Sequence, residues 1–338
     1  MPPRLNAPLI ALALLLIATP AAASTPSLPE RVVEFFTFKY DFLITTVAGS
    51  VLVGLTCGIL GTFLVLRRLS LMGDALGHAA LPGVGIAFLL VETKALGPIV
   101  IGAATTALLA ALAVGYITRN SRTYPDAALG MVLAGFFGVG VVLLSYIQNT
   151  PSAAKSGLND FLFGNAAAIA PDEIKLLGGI LLFVATTVTL LFRPLQLVTF
   201  DAALARAMGM PVQALHYGLM AVVALTIVAS IQAVGVVLVA AMLITPASTA
   251  YLLTDRLHIM ILLSATFGAL SGLLGALLSY LFQGFSSGPS MVLVASSFFA
   301  LAFLFAPRQG QIALFLRDRE RRARIQRQLD DAHPEAAP

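Results

Sequence analysis

The chain has 338 residues, of which 59% are hydrophobic and only 11% charged. Soluble domains carry about 25% charged residues, so the composition argues against an ordinary soluble enzyme. Several apolar runs approach or exceed 18 residues, the length typical of membrane-spanning helices. The sequence therefore predicts an all-α, polytopic membrane helix bundle. The net charge of +4 does not indicate a nucleic-acid partner, because much of the basic excess lies at the C-terminus, as in a cytoplasmic flank.

The first 24 residues have the pattern of a signal peptide. Arg4 precedes the apolar stretch Leu9–Ala18, and a proline and four small residues follow. The apolar stretch is too short for a comfortable membrane span. We therefore interpret residues 1–24 as a signal peptide or an additional N-terminal anchor. Residues 25–41 are predicted to form an external, interfacial stretch.

Residues 42–310 are predicted to form the transmembrane domain, with nine apolar segments that must be helical because lipid offers no partners to their backbone groups. Eight helices is the alternative count, because the run 212–253 crosses twice only if it turns near Gln232. Residues 311–338 are predicted to be a charged cytoplasmic tail. The nine segments are Leu43–Leu66, Leu69–Val91, Leu96–Ile117, Ala127–Ile147, Ile174–Phe192, Val212–Ile231, Val234–Leu253, Ile259–Leu281 and Met291–Phe305.

The distribution of basic residues predicts the orientation of the segments. If the first segment runs from outside to inside, 15 of the 20 lysines and arginines fall on the cytoplasmic side. They include the pair Arg67 and Arg68, as well as Arg119, Arg206 and Arg256. The short loops then follow the positive-inside rule, so we expect the even-numbered loops to be external.

Asp74 and His78 are the exceptional polar residues of the membrane segments. Of 16 acidic residues only Asp74 lies well inside an apolar segment, and of four histidines only His78 lies near its middle. Residues i and i+4 share one face of a helix, and a rise of about 1.5 Å per residue places His78 roughly 15 Å beyond Arg68. An ionisable residue at this depth indicates a transport path or a site.

A carboxylate and an imidazole on one face suit Mn(II), Fe(II) or Zn(II). A proton relay and a structural hydrogen-bonded pair are the two other interpretations. Two ligands make no tight site alone, but a two-fold dimer would double them on its axis. Gly73 and Gly77 are predicted to let helices approach closely, and Pro82 to loosen the helix beyond His78.

The inner loop from Leu195 to Pro211 is predicted to contain a short amphipathic helix. Thr199 or Asp201 can cap its start, and Gly209 ends it. Such a helix at the membrane surface is either a docking element for a partner or an ordinary interfacial helix. Its apolar stripe comprises Leu204, Ala205 and Met208.

The chain lacks the motifs of the common membrane and nucleotide enzymes. It contains no G-x-x-x-x-G-K-[ST] and no H-E-x-x-H sequence, so it has no P-loop for ATP and no zincin site. The single cysteine, Cys57, lies in an apolar run and allows no intrachain disulfide. Pro246 is predicted to break or bend its helix and to mark a moving part.

Five stretches, in order between residues 42 and 310, resemble permease subunits of manganese, zinc and iron ABC importers. The most specific is RRLSLMGDALGHAALPGVGIAFLL, which begins at Arg67. The other four are GLNDFLFGNAAAI (157–169), FDAALARAMGMPV (200–212), VVLVAAMLITPASTAYLLTDRL (236–257) and GPSMVLVASSFFALAFLFAPRQG (288–310).

The resemblance implies a dimer with a second copy or a paralogue, two cytoplasmic ATPase subunits that bind ATP, and an external metal-binding protein, all at the bacterial cytoplasmic membrane. Asp74 and His78 match the family's intramembrane acid and histidine. The coupling region matches Phe200–Met210, where we expect ATPase contacts. The residues assigned to this coupling are Asp201, Ala205, Arg206 and Gly209.

The expected cargo is Mn(II), with Zn(II) or Fe(II) as alternatives, and no covalently bound cofactor is expected. The chain itself is expected not to be an enzyme. Two other functions stay open from the residues: a permease for a bulky metal chelate, and a proton-coupled secondary carrier that uses Asp74 and His78 as a relay.

Overall fold

A computed structural model of the chain describes residues 28–91, 96–149, 169–282 and 285–306, and every regular element within them is an α-helix. The predicted signal segment 1–24, the tail 311–338 and most of the stretch 157–169 lie outside these residues. The thirteen helices of the described part are α1 (Leu28–Phe36), α2 (Asp41–Leu66), α3 (Leu71–Ala79), α4 (Leu81–Val91), α5 (Leu96–Asn120), α6 (Pro125–Asn149), α7 (Pro171–Leu190), α8 (Phe192–Phe200), α9 (Ala202–Ala207), α10 (Val212–Val234), α11 (Val236–Leu253), α12 (Leu257–Leu281) and α13 (Ser287–Phe305).

Eight helical segments of the described residues are long and apolar enough to cross a membrane. Helices α3 and α4 together form one of these segments, Leu71–Val91. A ninth apolar stretch, Leu238–Leu253 within α11, is shorter. The all-α membrane bundle is therefore confirmed, with eight long candidate spans among the described residues and a further apolar helix, α11, that follows the last residue of α10 after the break at Gly235.

The long run 212–253 divides at Gly235 and not at Gln232, where we expected the turn. Gly235 adopts φ 91° and ψ 154°, a backbone conformation that residues with a Cβ rarely adopt. Its N–H still donates to the carbonyl of Ile231 at 2.7 Å, which closes α10 before α11 begins. The conformational freedom of glycine, rather than a polar side chain, therefore sets this break.

Helices α2 and α12 pack closely against each other. A Cβ added at Gly54 of α2 would lie 2.1 Å from the carbonyl oxygen of Gly268 on α12, and one added at Gly58 would lie 2.4 Å from that of Ser264. The Ser264 hydroxyl also donates to the Gly58 carbonyl at 2.6 Å. Small residues let two backbones touch in this way, and the pair forms the axis against which other helices pack.

Helix α1 lies across the end of α12 that we predict to be external. Phe35 is 1% exposed and packs near the ring of Tyr280, at 5.9 Å between centroids. Arg31 donates to the carbonyl of Leu281 at 3.1 Å, and the Tyr280 hydroxyl donates to Glu34 at 3.2 Å. Part of the predicted interfacial stretch is therefore anchored to the bundle.

Pro246 does not break its helix, contrary to one of the two outcomes that we expected. Helix α11 continues from Val236 to Leu253 with Pro246 inside it. A proline in a helix interior removes one backbone hydrogen bond, and α11 continues through it in a part of the helix where Leu243 and Ala247 are fully buried.

Candidate metal path and ATPase-docking segment

Asp74 and His78 lie on the same face of α3, one turn apart, as their spacing predicts. The imidazole Nε2 of His78 is 3.4 Å from Oδ1 of Asp74, longer than a good hydrogen bond. The side chain of Asp74 is 40% exposed at the surface of the single chain, whereas that of His78 is 17% exposed. The carboxylate therefore stays open to a ligand.

The ring of His78 is held by an aromatic contact with α6. Phe137 meets it edge to face, with centroids 4.8 Å apart and planes inclined by 71°. Nδ1 of His78 is buried and has no hydrogen-bond partner in the described structure. One imidazole nitrogen is thus shielded, and the other points toward the carboxylate. Sequence reasoning missed Phe137, because nothing in its local pattern separates it from other membrane phenylalanines.

Gly73 and Gly77 pack α3 against α11 of the same chain. A Cβ at Gly73 would lie 3.4 Å from Cα of Ala240, and a Cβ at Gly77 would lie 3.4 Å from Cγ1 of Val239. These distances show that the glycine-bearing face of α3 lies in contact with α11. Because the face of α3 with Gly73 and Gly77 is buried against α11, the face with Asp74 points away from the core.

The helix bearing the acid–histidine pair ends before Pro82. Helix α3 ends at Ala79 and α4 starts at Leu81. Pro82 has no N–H to donate to the carbonyl of His78, four residues earlier. A Cβ at Gly140 of α6 would lie 2.8 Å from Cβ of Leu81, so α6 packs directly on this junction. Ala80 between the two helices keeps helical dihedral angles, φ −73° and ψ −25°, so the interruption is slight and the loosening expected beyond His78 stays a prediction.

Helix α6, which contacts His78 through Phe137, also carries exposed small residues. A Cβ added at Gly130 or at Gly138 would have no other atom within 4 Å. Ala134 lies between them, four residues from each, and is exposed as well. Among the described residues, no group of three or more His, Cys, Asp or Glu side chains could hold a metal ion. Within the described residues, one copy therefore supplies only two candidate ligands at this place.

The segment from Phe200 to Met210 folds into a capped one-turn helix. The Asp201 carboxylate accepts the N–H groups of Ala203 and Leu204 at 3.0 and 2.8 Å, which identifies Asp201 as the cap. Gly209 adopts φ 77°. The N–H of Gly209 donates to Arg206 O and that of Met210 to Ala205 O, both at 3.0 Å, the Schellman arrangement.

Helix α9 presents an apolar surface, but not with all of the predicted residues. Phe200, Leu204 and Met208 are 61%, 49% and 62% exposed, whereas Ala205 is fully buried. Ala205 therefore packs against its own chain and does not belong to the exposed stripe. Arg206 is exposed and its Nε donates to the carbonyl of Ala202 at 3.1 Å, which holds it over the helix.

Thr199, the other candidate cap, has a different partner. Its hydroxyl accepts a hydrogen bond from Nε of Arg67 at 3.1 Å, which ties α8 to the end of α2. In the sequence Arg67 contributed to the charge count and to the family resemblance, and neither indicated this hydrogen bond. The structure shows that it also connects the segment before α9 to the helix bundle.

These features define the class of the protein: a polytopic membrane protein with an acid–histidine pair in a spanning segment and an exposed apolar helix at one end. The chain belongs to the ABC 3 transport family, whose model matches residues 39–306. Together with the eight spans, membership makes the chain a multi-pass permease subunit of the bacterial cytoplasmic membrane.

Individual relatives agree with this family. The chain is 44% identical over 279 residues, 82% of its length and 92% of the relative's, to the manganese transport system membrane protein MntC of Halalkalibacterium halodurans. It is 37% identical over 268 residues, 79% and 90% of the two chains, to the zinc transport system membrane protein TroC of Treponema pallidum.

A solved structure shows the same fold. PsaBC from Streptococcus pneumoniae in complex with Fab matches with a TM-score of 0.74 and 38% identity. The match covers 84% of this chain and 99% of the other. The recognised family and the helical bundle predicted from the sequence are both confirmed.

Proposed function

We propose that this chain is the membrane subunit of an ATP-driven importer that moves Mn(II) into the cytoplasm, and that the cation passes Asp74 and His78. The observation that carries the proposal is the open carboxylate beside a shielded imidazole in a spanning helix. The relative named for manganese transport, at 44% identity, favours Mn(II). Zn(II) and Fe(II) remain the alternative cargoes.

The donor set fits a divalent transition metal but does not select one. Carboxylate oxygen and imidazole nitrogen bind all of these ions, and the natural affinity order places Mn(II) below Zn(II). The pair therefore lets the metal ion pass, and an external metal-binding protein selects which metal is transported. A weak site also suits transport, because the ion must leave it again.

Two copies, or this chain and a paralogue, complete the path. The side chain of Asp74 is 40% exposed on the single chain, and α6, which contacts His78 through Phe137, carries the exposed small residues Gly130, Ala134 and Gly138. Small residues favour close packing of membrane helices, and a two-fold contact presents the same patch twice. Dimerisation along α6 would then place two carboxylates and two imidazoles around one passage.

The α9 segment docks a cytoplasmic ATPase subunit. Exposed apolar residues at a membrane surface indicate a binding site, and Phe200, Leu204 and Met208 form such a patch on a firmly capped turn. Asp201 and Gly209 stabilise the two ends of the α9 helix. The buried side chain of Ala205 packs this helix against the bundle. Arg206 is the charged residue at the contact. ATP hydrolysis then takes place in the partner.

Single substitutions at the pair test the passage. Asp74→Asn keeps the size of the side chain but removes the charge, and His78→Gln removes the ligand nitrogen. Both variants should lose nearly all cellular Mn(II) accumulation while they assemble normally in the membrane. Asp126→Asn is the matched control, because Asp126 is exposed in the first turn of α6. Normal accumulation in both pair variants would refute the assignment.

A proton-coupled carrier is the second candidate, because Asp74 and His78 are two neighbouring ionisable groups in a spanning segment, the residue types of a proton relay. The energy source separates the two functions. Uptake by the ATP-driven importer stops when ATP is depleted and persists when the proton gradient is dissipated. Uptake by the carrier shows the reverse pattern. Competition by metal chelates against the free ion tests the chelate permease in the same cells.

A further inference from the structure

A cationic cleft opens at the end of the bundle that carries Phe200–Met210, the proposed docking segment, and neither Asp74 nor His78 lines it. It has a volume of about 410 Å³ and lies between the ends of α2 and α5, the start of α10, and helices α8 and α9. Its polar wall comprises Arg67, Thr118, Arg119, Gln213, His216 and Tyr217. The remaining wall is apolar and includes Leu69, Val198 and Val212.

Arg67 is the most constrained cation of the cleft. Its Nε donates to Thr199, but its Nη2 is buried and has no acceptor in the described structure. Burial lowers the pKa of the Arg67 guanidinium, although arginine stays charged at any physiological pH. A partly buried cation without a counter-ion is unfavourable, so the cleft favours an anion.

The other groups of the cleft reinforce this preference. Arg119 donates from Nη1 to the Gln213 side chain at 3.1 Å, which holds a second guanidinium at the opening. Helix α10 begins here after Pro211, which provides no side-chain cap, so the positive end of its dipole faces the cleft. No aspartate or glutamate of the described residues lines the cleft.

We propose that this cleft binds a phosphate-bearing anion, and that its occupant is the headgroup of an anionic phospholipid of the cytoplasmic leaflet. Two arginines in one wall provide charge-assisted donors for phosphate oxygens, and the apolar wall accommodates the glycerol and upper acyl carbons. Basic pockets between membrane helices on the cytoplasmic side suit such headgroups. Because Arg67 binds Thr199, two residues before the cap Asp201, a bound headgroup also steadies the base of α9.

Lipid binding to the purified full-length protein in detergent tests the proposal. Native mass spectrometry and thermal unfolding are measured with added phosphatidylglycerol, with phosphatidylcholine, and with inorganic phosphate alone. We expect retained phosphatidylglycerol and a higher unfolding temperature with that lipid only, and an effect that weakens as salt rises. Equal protection by inorganic phosphate at low millimolar concentration would overturn the lipid as occupant, and no effect of either anion would overturn the site.

Variants locate the effect. Arg67→Gln and Arg119→Gln should each weaken phosphatidylglycerol binding about fivefold, the usual contribution of one basic residue near anionic lipid. The matched control is Arg122→Gln, because Arg122 is exposed near the same end of α5 and does not line the cleft. If Arg67→Gln fails to fold, Arg119→Gln alone decides, because Arg119 is exposed. Unchanged binding in Arg119→Gln would contradict the proposal.

Discussion

Replacement of Gly209 by alanine should loosen the docking segment without any steric clash. Gly209 has φ 77°, and nothing lies within 4 Å of a Cβ built there. The cost is therefore conformational, about 1–2 kcal/mol for a non-glycine residue in the left-handed region. A change of this size lowers the population of the formed α9 turn about 5- to 30-fold relative to its open forms.

Hydrogen–deuterium exchange and complex assembly measure the effect. Amide exchange over residues 201–210 should quicken by that factor in Gly209→Ala, and less of the ATPase subunit should co-purify with the variant. Gly209→Asn should restore most of both, because asparagine tolerates the left-handed region. Gly218→Ala is the control, since Gly218 lies inside α10 with open space around it. Equal exchange in Gly209→Ala and the unmodified protein would refute the role of this turn.

Three further predictions concern the cap, the helix bundle and the external end. Asp201→Ala removes two hydrogen bonds at the start of α9 and should destabilise the turn by about 1 kcal/mol. Amide hydrogen exchange over residues 201–210 should therefore be faster in this variant. Unchanged exchange would contradict the prediction. Gly54→Ala should lower the thermal unfolding temperature, because the added Cβ would lie 2.1 Å from a backbone oxygen and overpacking costs about 1–3 kcal/mol. Gly178→Ala is the control and should leave the unfolding temperature unchanged, because nothing lies within 4 Å of a Cβ added there. The hydrogen bond from Lys39 and the ion pair with it lower the pKa of the Glu34 carboxyl. The stabilisation of α1 by this pair is therefore fully present above the ordinary glutamate pKa. It is lost as the pH falls through the lowered pKa of Glu34. Proteolysis of α1 should therefore quicken in acid, and Glu34→Gln should abolish this pH dependence.

The acid–histidine pair, through which we propose that the metal passes, was largely predictable because the membrane makes polar residues conspicuous. A carboxylate and an imidazole within apolar segments require an explanation, and the i,i+4 spacing already places them on one face. The sequence could not indicate which side of α3 meets its own chain. That depends on Gly73 and Gly77, which pack against α11, a helix more than 150 residues further along the chain.

The docking segment was predictable in its limits but not in its exposed face. Asp201 and Gly209 are local signals for a helix start and end, and both act as expected. Ala205 was assigned to the exposed stripe, yet it is buried. Which face of such a short helix is buried depends on the part of the protein against which it packs. Because α9 has only six residues, the spacing of its apolar residues cannot identify the buried face.

The sequence alone determined the class of structure, the number of crossings to within one, and the acid–histidine pair, because the cost of exposing backbone and charge to lipid leaves few alternatives. Only the tertiary structure decided the break at Gly235, the contact of Phe137 with His78, and the cleft around Arg67. Each of these depends on side chains or backbone from distant helices that meet in three dimensions. Local propensity and hydropathy contain no information about such meetings, since they are set by the packing of the whole bundle.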